Sequence, residues 1–214
     1  MVWDIWVRLG HWLVVGLIAF QFYSGEQLDL RDIHAWVGIA LLSWIGFRLL
    51  WGFVGPTHAR FSDFVKSPKR VWGSFVQLFR REHESAVGHT AAGGIGVIVL
   101  MALITTLAIT GLLSTDDVFY DGPLNHWVSY EVAVLATRIH HLAGNLLILT
   151  IAGHVCAIAW HQFAMRQPLI QGMLHGRKPG VTGSIASSVT IRGALVLLAS
   201  AIVIAGSIGL WGRF

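Results

Sequence analysis

Five stretches of the chain are apolar over the length that a membrane-spanning helix needs, and polar segments separate them. A helix requires about 20 apolar residues to cross a hydrocarbon core about 30 Å thick. The sequence meets this requirement at about residues 5–23, 33–54, 92–113, 132–162 and 191–211. The pattern therefore predicts an all-α integral membrane protein with five transmembrane helices. The first stretch contains Arg8 and His11, and no A-x-A-type cleavage site follows it, so we expect a retained helix rather than a signal peptide.

Composition supports the same class of protein. The chain is 55% hydrophobic and 12% charged, whereas a soluble domain carries about 25% charged residues. The formal net charge is +4, but the basic residues lie in loops between apolar stretches, which reflects membrane topology rather than nucleic-acid binding. The single cysteine, Cys156, excludes an internal disulfide, a Cys-ligated iron–sulfur cluster and a C-x-x-C-H haem attachment.

The charges of the loops predict the orientation of the helices. Segments 55–90 and 163–190 are basic, whereas segment 114–137 is acidic and the short first turn carries Glu26, Asp29 and Asp32. By the positive-inside rule, the basic loops face the cytoplasm. We therefore expect a cytoplasmic N-terminus and, after five crossings, a C-terminus on the outer side.

Part of the first cytoplasmic loop, about residues 61–84, has the pattern of a helix lying on the membrane surface. Apolar residues recur there at helical spacing between basic residues: Val71, Trp72, Phe75, Val76 and Phe79 between Lys69, Arg70, Arg80 and Arg81. Such a helix lies in the interface with its basic side toward anionic headgroups. A docking surface for a cytoplasmic partner is the alternative.

Segment 138–161 is apolar but contains four histidines, and ionisable residues in a membrane helix are expensive and commonly functional. His140 and His154 are fourteen positions apart, which places them roughly 40° apart around a helix and about 21 Å apart along it. His141 is roughly 140° out of phase with His154 and faces another side. His161 is nearly in phase with His154, but it lies at the helix exit, where we expect a solvated side chain.

The predicted topology sorts four histidines into two pairs by depth. His34 and His140 lie near the outer surface (the outer pair), and His11 and His154 lie near the inner surface (the inner pair). A single intramembrane histidine could simply be a hydrogen-bonded polar residue, but pairing at two depths is hard to explain in that way. The remaining histidines fall in loops or at helix ends, although His89 or His126 could approach a haem edge or a quinone.

Two facing histidines without a nearby cysteine or carboxylate fit bis-imidazole ligation of haem iron, which favours electron transfer. Structural zinc requires four ligands at one depth, and a di-iron carboxylate site requires inward-facing glutamates. Glycines near the ligands, Gly16, Gly38 and Gly144, would leave room for a porphyrin. Close helix packing is the alternative explanation for these glycines.

Several motifs in order resemble the bacterial di-haem cytochrome b-561 type: RLGHWLVV, DIHAWVGIALL, FRLLWGFVGPTHARFSDFV, GHTAAGG, HHLAGNLLILTIAGH and LIQGMLHGRKP. That group includes the cytochrome b subunits of membrane hydrogenases and other dehydrogenases. The resemblance covers about residues 3–180. It implies a four-helix transmembrane bundle (domain 1–180) that binds two non-covalent haem b groups through His11, His34, His140 and His154. Residues 181–214 would form an additional transmembrane helix, either an anchor or a packing face for a partner subunit.

The resemblance implies a multi-pass protein of the bacterial inner membrane that carries electrons between the quinone pool and a redox partner, as a subunit of a larger respiratory system. The partner would be a c-type cytochrome, a dehydrogenase or a hydrogenase, and quinone is a candidate further cofactor. Arg8 and Arg48 are candidates to bind haem propionates, or they snorkel to the inner surface. We name no catalytic residue. The alternatives are a stand-alone superoxide- or donor:quinone oxidoreductase and a non-redox membrane protein.

Overall fold

Within residues 2–80, 88–176 and 187–211, which this computed structural model describes, the chain is built of helices. In chain order these are α1 (Ile5–Gly25), α2 (Arg31–Val54), α3 (Phe61–Phe64), α4 (Pro68–Arg80), α5 (Ala91–Leu113), α6 (Tyr130–Ala159), α7 (Leu169–His175) and α8 (Ser187–Trp211). Among the described residues, five segments are long and apolar enough to cross a membrane, and they correspond to α1, α2, α5, α6 and α8. The predicted all-α membrane fold with five spans is confirmed.

The helix boundaries follow from local capping chemistry. The Asp4 side chain accepts hydrogen bonds from the backbone N–H groups of Trp6 and Val7 and thereby caps the start of α1. Thr90 caps α5 in the same way through Gly93. Gly176 ends α7 in the left-handed conformation with φ of 71°, which glycine adopts without steric cost.

The helices pack in a chain of neighbours rather than a closed ring. Helix α1 packs on α2, α2 on α5, and α5 on α6, whereas α1 and α6 barely contact each other in the described part of the chain. The shared apolar core contains Leu41 and Ile45 of α2, Ile104 of α5 and Leu147 of α6. The bundle is therefore open between α1, which carries His11, and α6, which carries His140 and His154.

Helix α8 lies against α2 and touches α1. The Ser200 hydroxyl donates to the Ser43 carbonyl over 3.3 Å, and the Trp6 indole N–H donates to the Thr190 carbonyl over 3.2 Å. The opposite face of α8 exposes large apolar side chains at helical spacing: Ile191, Leu195, Leu198 and Ile202. One face of α8 is thus packed within the chain, and the other is apolar enough to face lipid.

The inner end of the bundle, which carries the N-terminus, α3, α4 and α7, contains the predicted surface segment. Helix α4 packs on α5 through buried Ser74, whose hydroxyl accepts a hydrogen bond from the Ala92 N–H over 3.2 Å. On its outward side, Trp72 is 71% exposed and Phe75 is 40% exposed. This arrangement suits an interfacial helix. The Phe79 and Arg80 side chains and residues 81–84 lie outside the described part of the chain.

The outer end of the bundle carries the acidic segment between α5 and α6. One Asp116 carboxylate oxygen accepts hydrogen bonds from the N–H groups of Val118, Phe119 and Tyr120, and the other pairs with Arg31 of α2. Burial acts to raise the pKa of the Asp116 carboxyl, but these four donors outweigh it and hold the pKa well below its ordinary value. A carboxylate that stays ionised at neutral pH therefore holds the segment to α2.

Candidate functional site

The outer pair lies where α2 and α6 face each other at the outer end of the bundle. The rings of His34 and His140 have centroids 6.3 Å apart and planes inclined by 62°. Both side chains are half-buried. When two imidazoles bind the same metal ion from opposite sides, each through a nitrogen at about 2 Å, their ring centres lie roughly 6 Å apart. The spacing of the outer pair is thus suited to two ligands of one metal ion.

Hydrogen bonds fix the orientation of both outer imidazoles. His140 Nδ1 lies 2.9 Å from the Leu107 carbonyl oxygen and 3.3 Å from Thr110 Oγ1. Because a carbonyl only accepts, His140 Nδ1 carries the proton and the lone pair of Nε2 is left for a ligand. His34 Nδ1 lies 3.0 Å from Ser24 Oγ. Partners of this kind orient metal-binding histidines in many proteins.

A glycine backs each outer imidazole. A Cβ atom at Gly25 would lie 3.4 Å from His34 Cε1, and one at Gly111 would lie 3.1 Å from His140 Cε1. The rings therefore rest directly against backbone, and a side chain at Gly111 would push the His140 ring forward. A larger residue is therefore disfavoured at Gly111, whereas a Cβ at Gly25 would make ordinary van der Waals contact with His34.

The inner pair joins α1 and α6 across the open side of the bundle. His11 and His154 are half-buried and lie close enough to interact electrostatically. His11 Nδ1 is buried and has no hydrogen-bond partner among the described residues. Open space surrounds Gly16 and Gly153, where an added Cβ would meet no heavy atom within 4 Å. Among the described residues, His11 Nδ1 thus has no partner, whereas both Nδ1 atoms of the outer pair have one.

Arg8 and Arg48 lie at the inner end and each keeps an unpartnered N–H. Arg8 Nη1 donates to the Leu174 carbonyl over 2.8 Å, while Arg8 Nε is buried without a partner among the described residues. The Arg48 guanidinium lies 5.5 Å from the centre of the Phe61 ring, and its Nη1 is likewise buried without a partner in the described structure. Such donors suit an anionic group such as a carboxylate.

The remaining histidines have other surroundings. His141 is exposed, and His161 is half-buried rather than fully solvated, with Nδ1 2.9 Å from Gln167 Oε1. His58 pairs with Asp63 over 3.0 Å, and the His89 ring lies 4.4 Å from that of Trp3, measured between centroids. His126 and His175 are exposed, and His83 lies outside the described residues. Among the described residues, no three His, Cys, Asp or Glu side chains form a group that could hold a metal ion.

The sequence did not reveal the partners of the candidate ligands. Ser24 and Thr110 are ordinary small polar residues of a membrane helix, and Leu107 acts through its backbone carbonyl. Asp4 is fully buried, and besides capping α1 it accepts a hydrogen bond from Trp51 Nε1 over 3.3 Å. A sequence signal exists only for Asp4, which stands directly before an apolar stretch in the position of a helix cap.

Comparison with known proteins gives one match. A family model described as prokaryotic cytochrome b561 matches residues 2–176. This range contains both histidine pairs, Arg8 and Arg48, and it ends with α7, before α8 begins. Searches of curated proteins and of solved structures found no match.

Proposed function

The chain belongs to the prokaryotic cytochrome b561 family, and from this premise we propose that it is a di-haem b-type cytochrome that carries electrons across the membrane between the quinone pool and a redox partner. Membership of this family means that the chain is a transmembrane cytochrome b that functions in electron transport. The number of haem groups, their ligands and the reaction partners are what the proposal adds.

The observation that carries the proposal is the geometry of the outer pair. Its ring centroids are 6.3 Å apart, and both Nδ1 atoms are engaged by residues of the chain. The Nε2 atom of His140 is thereby left as a ligand nitrogen. The inner pair supports a second site, because His154 lies on the same helix as His140 and is close enough to His11 of α1 to interact with it electrostatically.

In this proposal His34 and His140 hold one haem b and His11 and His154 hold the other. When bound, haem b would supply one-electron chemistry through its iron, and ligation by two imidazoles would favour electron transfer. Arg8 and Arg48 offer N–H donors to propionates at the inner end. The weak contact between α1 and α6 is compatible with a flat macrocycle held between His11 and His154.

The redox partner would be a c-type cytochrome, a dehydrogenase or a hydrogenase, with the chain as one subunit in the bacterial inner membrane. A superoxide:quinone oxidoreductase is less well supported, because the outer end is acidic. The outer end carries Glu26, Asp29, Asp32, Asp117 and Asp121, while Arg31 is paired with Asp116. Such a surface repels a small anion. An oxidoreductase acting on another donor and quinone stays an alternative.

The test is the haem content and optical spectrum of the purified protein. We expect two non-covalent haem groups per chain, with the dithionite-reduced spectrum of low-spin b-type centres. His154→Ala is expected to lose the inner haem and retain the outer one. A folded, stable protein without haem would overturn the proposal, and one haem per chain would overturn its di-haem form.

A further inference from the structure

We propose that hydrogen bonds within the chain make the outer pair the haem site of lower reduction potential, so that an electron moves downhill from the outer pair to the inner pair. This inference rests on the proposed function and adds the order of the two potentials. Transfer in this direction oxidises a ferrous iron at the outer pair and reduces a ferric iron at the inner pair. It moves one electron and requires no proton or further reactant.

Both outer imidazoles have a hydrogen-bond partner at Nδ1 that can accept from the ring. Ser24, which is 0% exposed, has its hydroxyl 3.0 Å from His34 Nδ1 and 3.4 Å from the Gln21 carbonyl oxygen. The hydroxyl can therefore donate to Gln21 and accept from His34. The Thr110 hydroxyl likewise donates to the Thr106 carbonyl over 2.7 Å and can accept from His140. Each outer ligand thus has a fixed acceptor for its N–H.

The inner pair differs from the outer pair in the hydrogen bonding of its imidazoles. His11 Nδ1 is buried without an acceptor among the described residues. An imidazole whose N–H is hydrogen-bonded is the more basic ligand, and a more basic ligand favours ferric over ferrous iron. Hydrogen bonding around the ligands is one of the means by which proteins set the potential of a haem. The difference between the pairs therefore lowers the potential of the outer site relative to the inner one.

Nearby charges act in the same direction. The acidic residues of the outer end outnumber the two arginines there, Arg31 and Arg138, and they favour the more positive, ferric state. At the inner end, Arg8 and Arg48 would be paired with haem propionates, so the acidic outer end supplies the charge difference between the two sites. Hydrogen bonding and charge thus independently give the outer site the lower potential.

The experiment is a potentiometric titration of the holoprotein, followed by its optical spectrum and by the low-spin ferric EPR signals. His154→Ala assigns the two potentials, because only the outer haem should remain and it should titrate at the lower one. Ser24→Ala removes one acceptor of His34, while the Gln21 carbonyl remains as the other, and it should raise the lower potential while leaving the higher one in place. Ser24→Thr keeps a hydroxyl and should restore the original value.

A second variant covers the case in which Ser24→Ala does not fold. Thr110→Val has the same shape without the hydroxyl, and it should also raise the lower potential, by a smaller amount because the Leu107 carbonyl remains an acceptor. Ser43→Ala and Thr105→Val are the matched controls. Their hydroxyls donate to the Ile39 and Met101 carbonyls, respectively, and contact neither pair in the described structure, so both potentials should stay unchanged.

Two results would overturn the inference. In one, the haem retained by His154→Ala titrates at the higher of the two wild-type potentials. In the other, Ser24→Ala and Thr110→Val retain both haem groups and leave both potentials unchanged. Either result leaves the di-haem proposal intact, whereas a wild-type protein without two haem groups would refute that proposal before any titration.

Discussion

At the scale of single residues, the choice between the adjacent histidines of α6 depends on what each ring contacts. His140 faces His34 and donates to the Leu107 carbonyl, whereas His141 is exposed and its ring stands at 89° to that of His140. Successive helix positions differ by about 100° in direction. Two neighbours on one helix therefore cannot both face the same partner.

We expect His140→Ala to lose the outer haem and His141→Ala to retain both haem groups. Removal of one axial ligand leaves a single imidazole and an unfilled coordination position, while His141 contributes no ligand. Haem per chain should fall to about half in the first variant, as measured from the pyridine haemochrome spectrum. An equal loss of haem in the two variants would show that the assignment of His140 as the outer ligand is wrong.

The Asp116 carboxyl should keep the outer segment ordered over the whole ordinary pH range. Because the folded pKa is lowered, its stabilisation is fully present above the ordinary Asp pKa of 3.8 and is lost as pH falls through the lower folded value. Amide exchange in residues 114–129, corrected for intrinsic rates, should be constant between about pH 5 and 8.

Asp116→Asn should increase that exchange at every pH, because the amide cannot form the ion pair with Arg31. Asp121→Asn is the control, an exposed carboxyl in the same segment. If Asp121→Asn loosened the segment as much as Asp116→Asn, loss of overall negative charge rather than the specific contacts would be responsible.

At the scale of the helices, α6 contributes one histidine to each pair, and α8 contributes to neither. Helix α8 is held by a close approach to α1 at Gly193, where an added Cβ would lie 2.0 Å from Trp6 Nε1. Gly209 on the same helix has open space around it, with no heavy atom within 4 Å of an added Cβ. These two glycines separate the packing role of α8 from its role as an apolar anchor.

Gly193→Ala should destabilise the protein by about 1–3 kcal/mol, because the methyl group forces Trp6 away from the Thr190 carbonyl. Gly209→Ala should be neutral or slightly stabilising, since alanine is the better helix former. Thermal unfolding in detergent, followed by circular dichroism, compares the two variants. An unchanged melting temperature for Gly193→Ala would mean that α8 does not depend on this contact.

At the scale of the whole molecule, charge divides the two ends of the bundle. The outer segment is acidic and exposes Val118 and Phe119, which are 71% and 80% exposed, while the basic loops lie at the inner end. Burial and the nearby negative charge of Asp32 raise the pKa of Tyr120 to about 12, so its phenol stays neutral. The positive-inside rule predicts that the inner end is cytoplasmic.

Cysteine labelling tests that orientation. In a Cys156→Ala background, Val118→Cys should react with a membrane-impermeant maleimide in cells whose outer membrane alone is permeabilised. Ser62→Cys, an exposed position between α2 and α4, should react only after the inner membrane is opened. The reverse labelling pattern would show that the topology is inverted. The inferred electron transfer would then run in the opposite direction across the membrane.

The sequence alone determined the number, type and approximate limits of the spans. The predicted stretch 5–23 became α1 (Ile5–Gly25), and 92–113 became α5 (Ala91–Leu113). This success has a simple cause: in lipid a helix must satisfy its own backbone hydrogen bonds and cover itself with apolar side chains. Both requirements are local, so they are visible in the order of residues.

The tertiary structure decided what surrounds the candidate ligands. The acceptor of His140 is a backbone carbonyl 33 residues away, and that of His34 is a serine ten residues away on another helix. The packing of α1, α2, α5 and α6 brings these acceptors to the histidines. The side-chain pattern of one helix does not determine how its neighbour is rotated or how deep it lies in the membrane. The spans and the loop charges could pair the histidines by depth. Only the packed bundle showed that both Nδ1 atoms of the outer pair have hydrogen-bond partners and that His11 Nδ1 has none among the described residues.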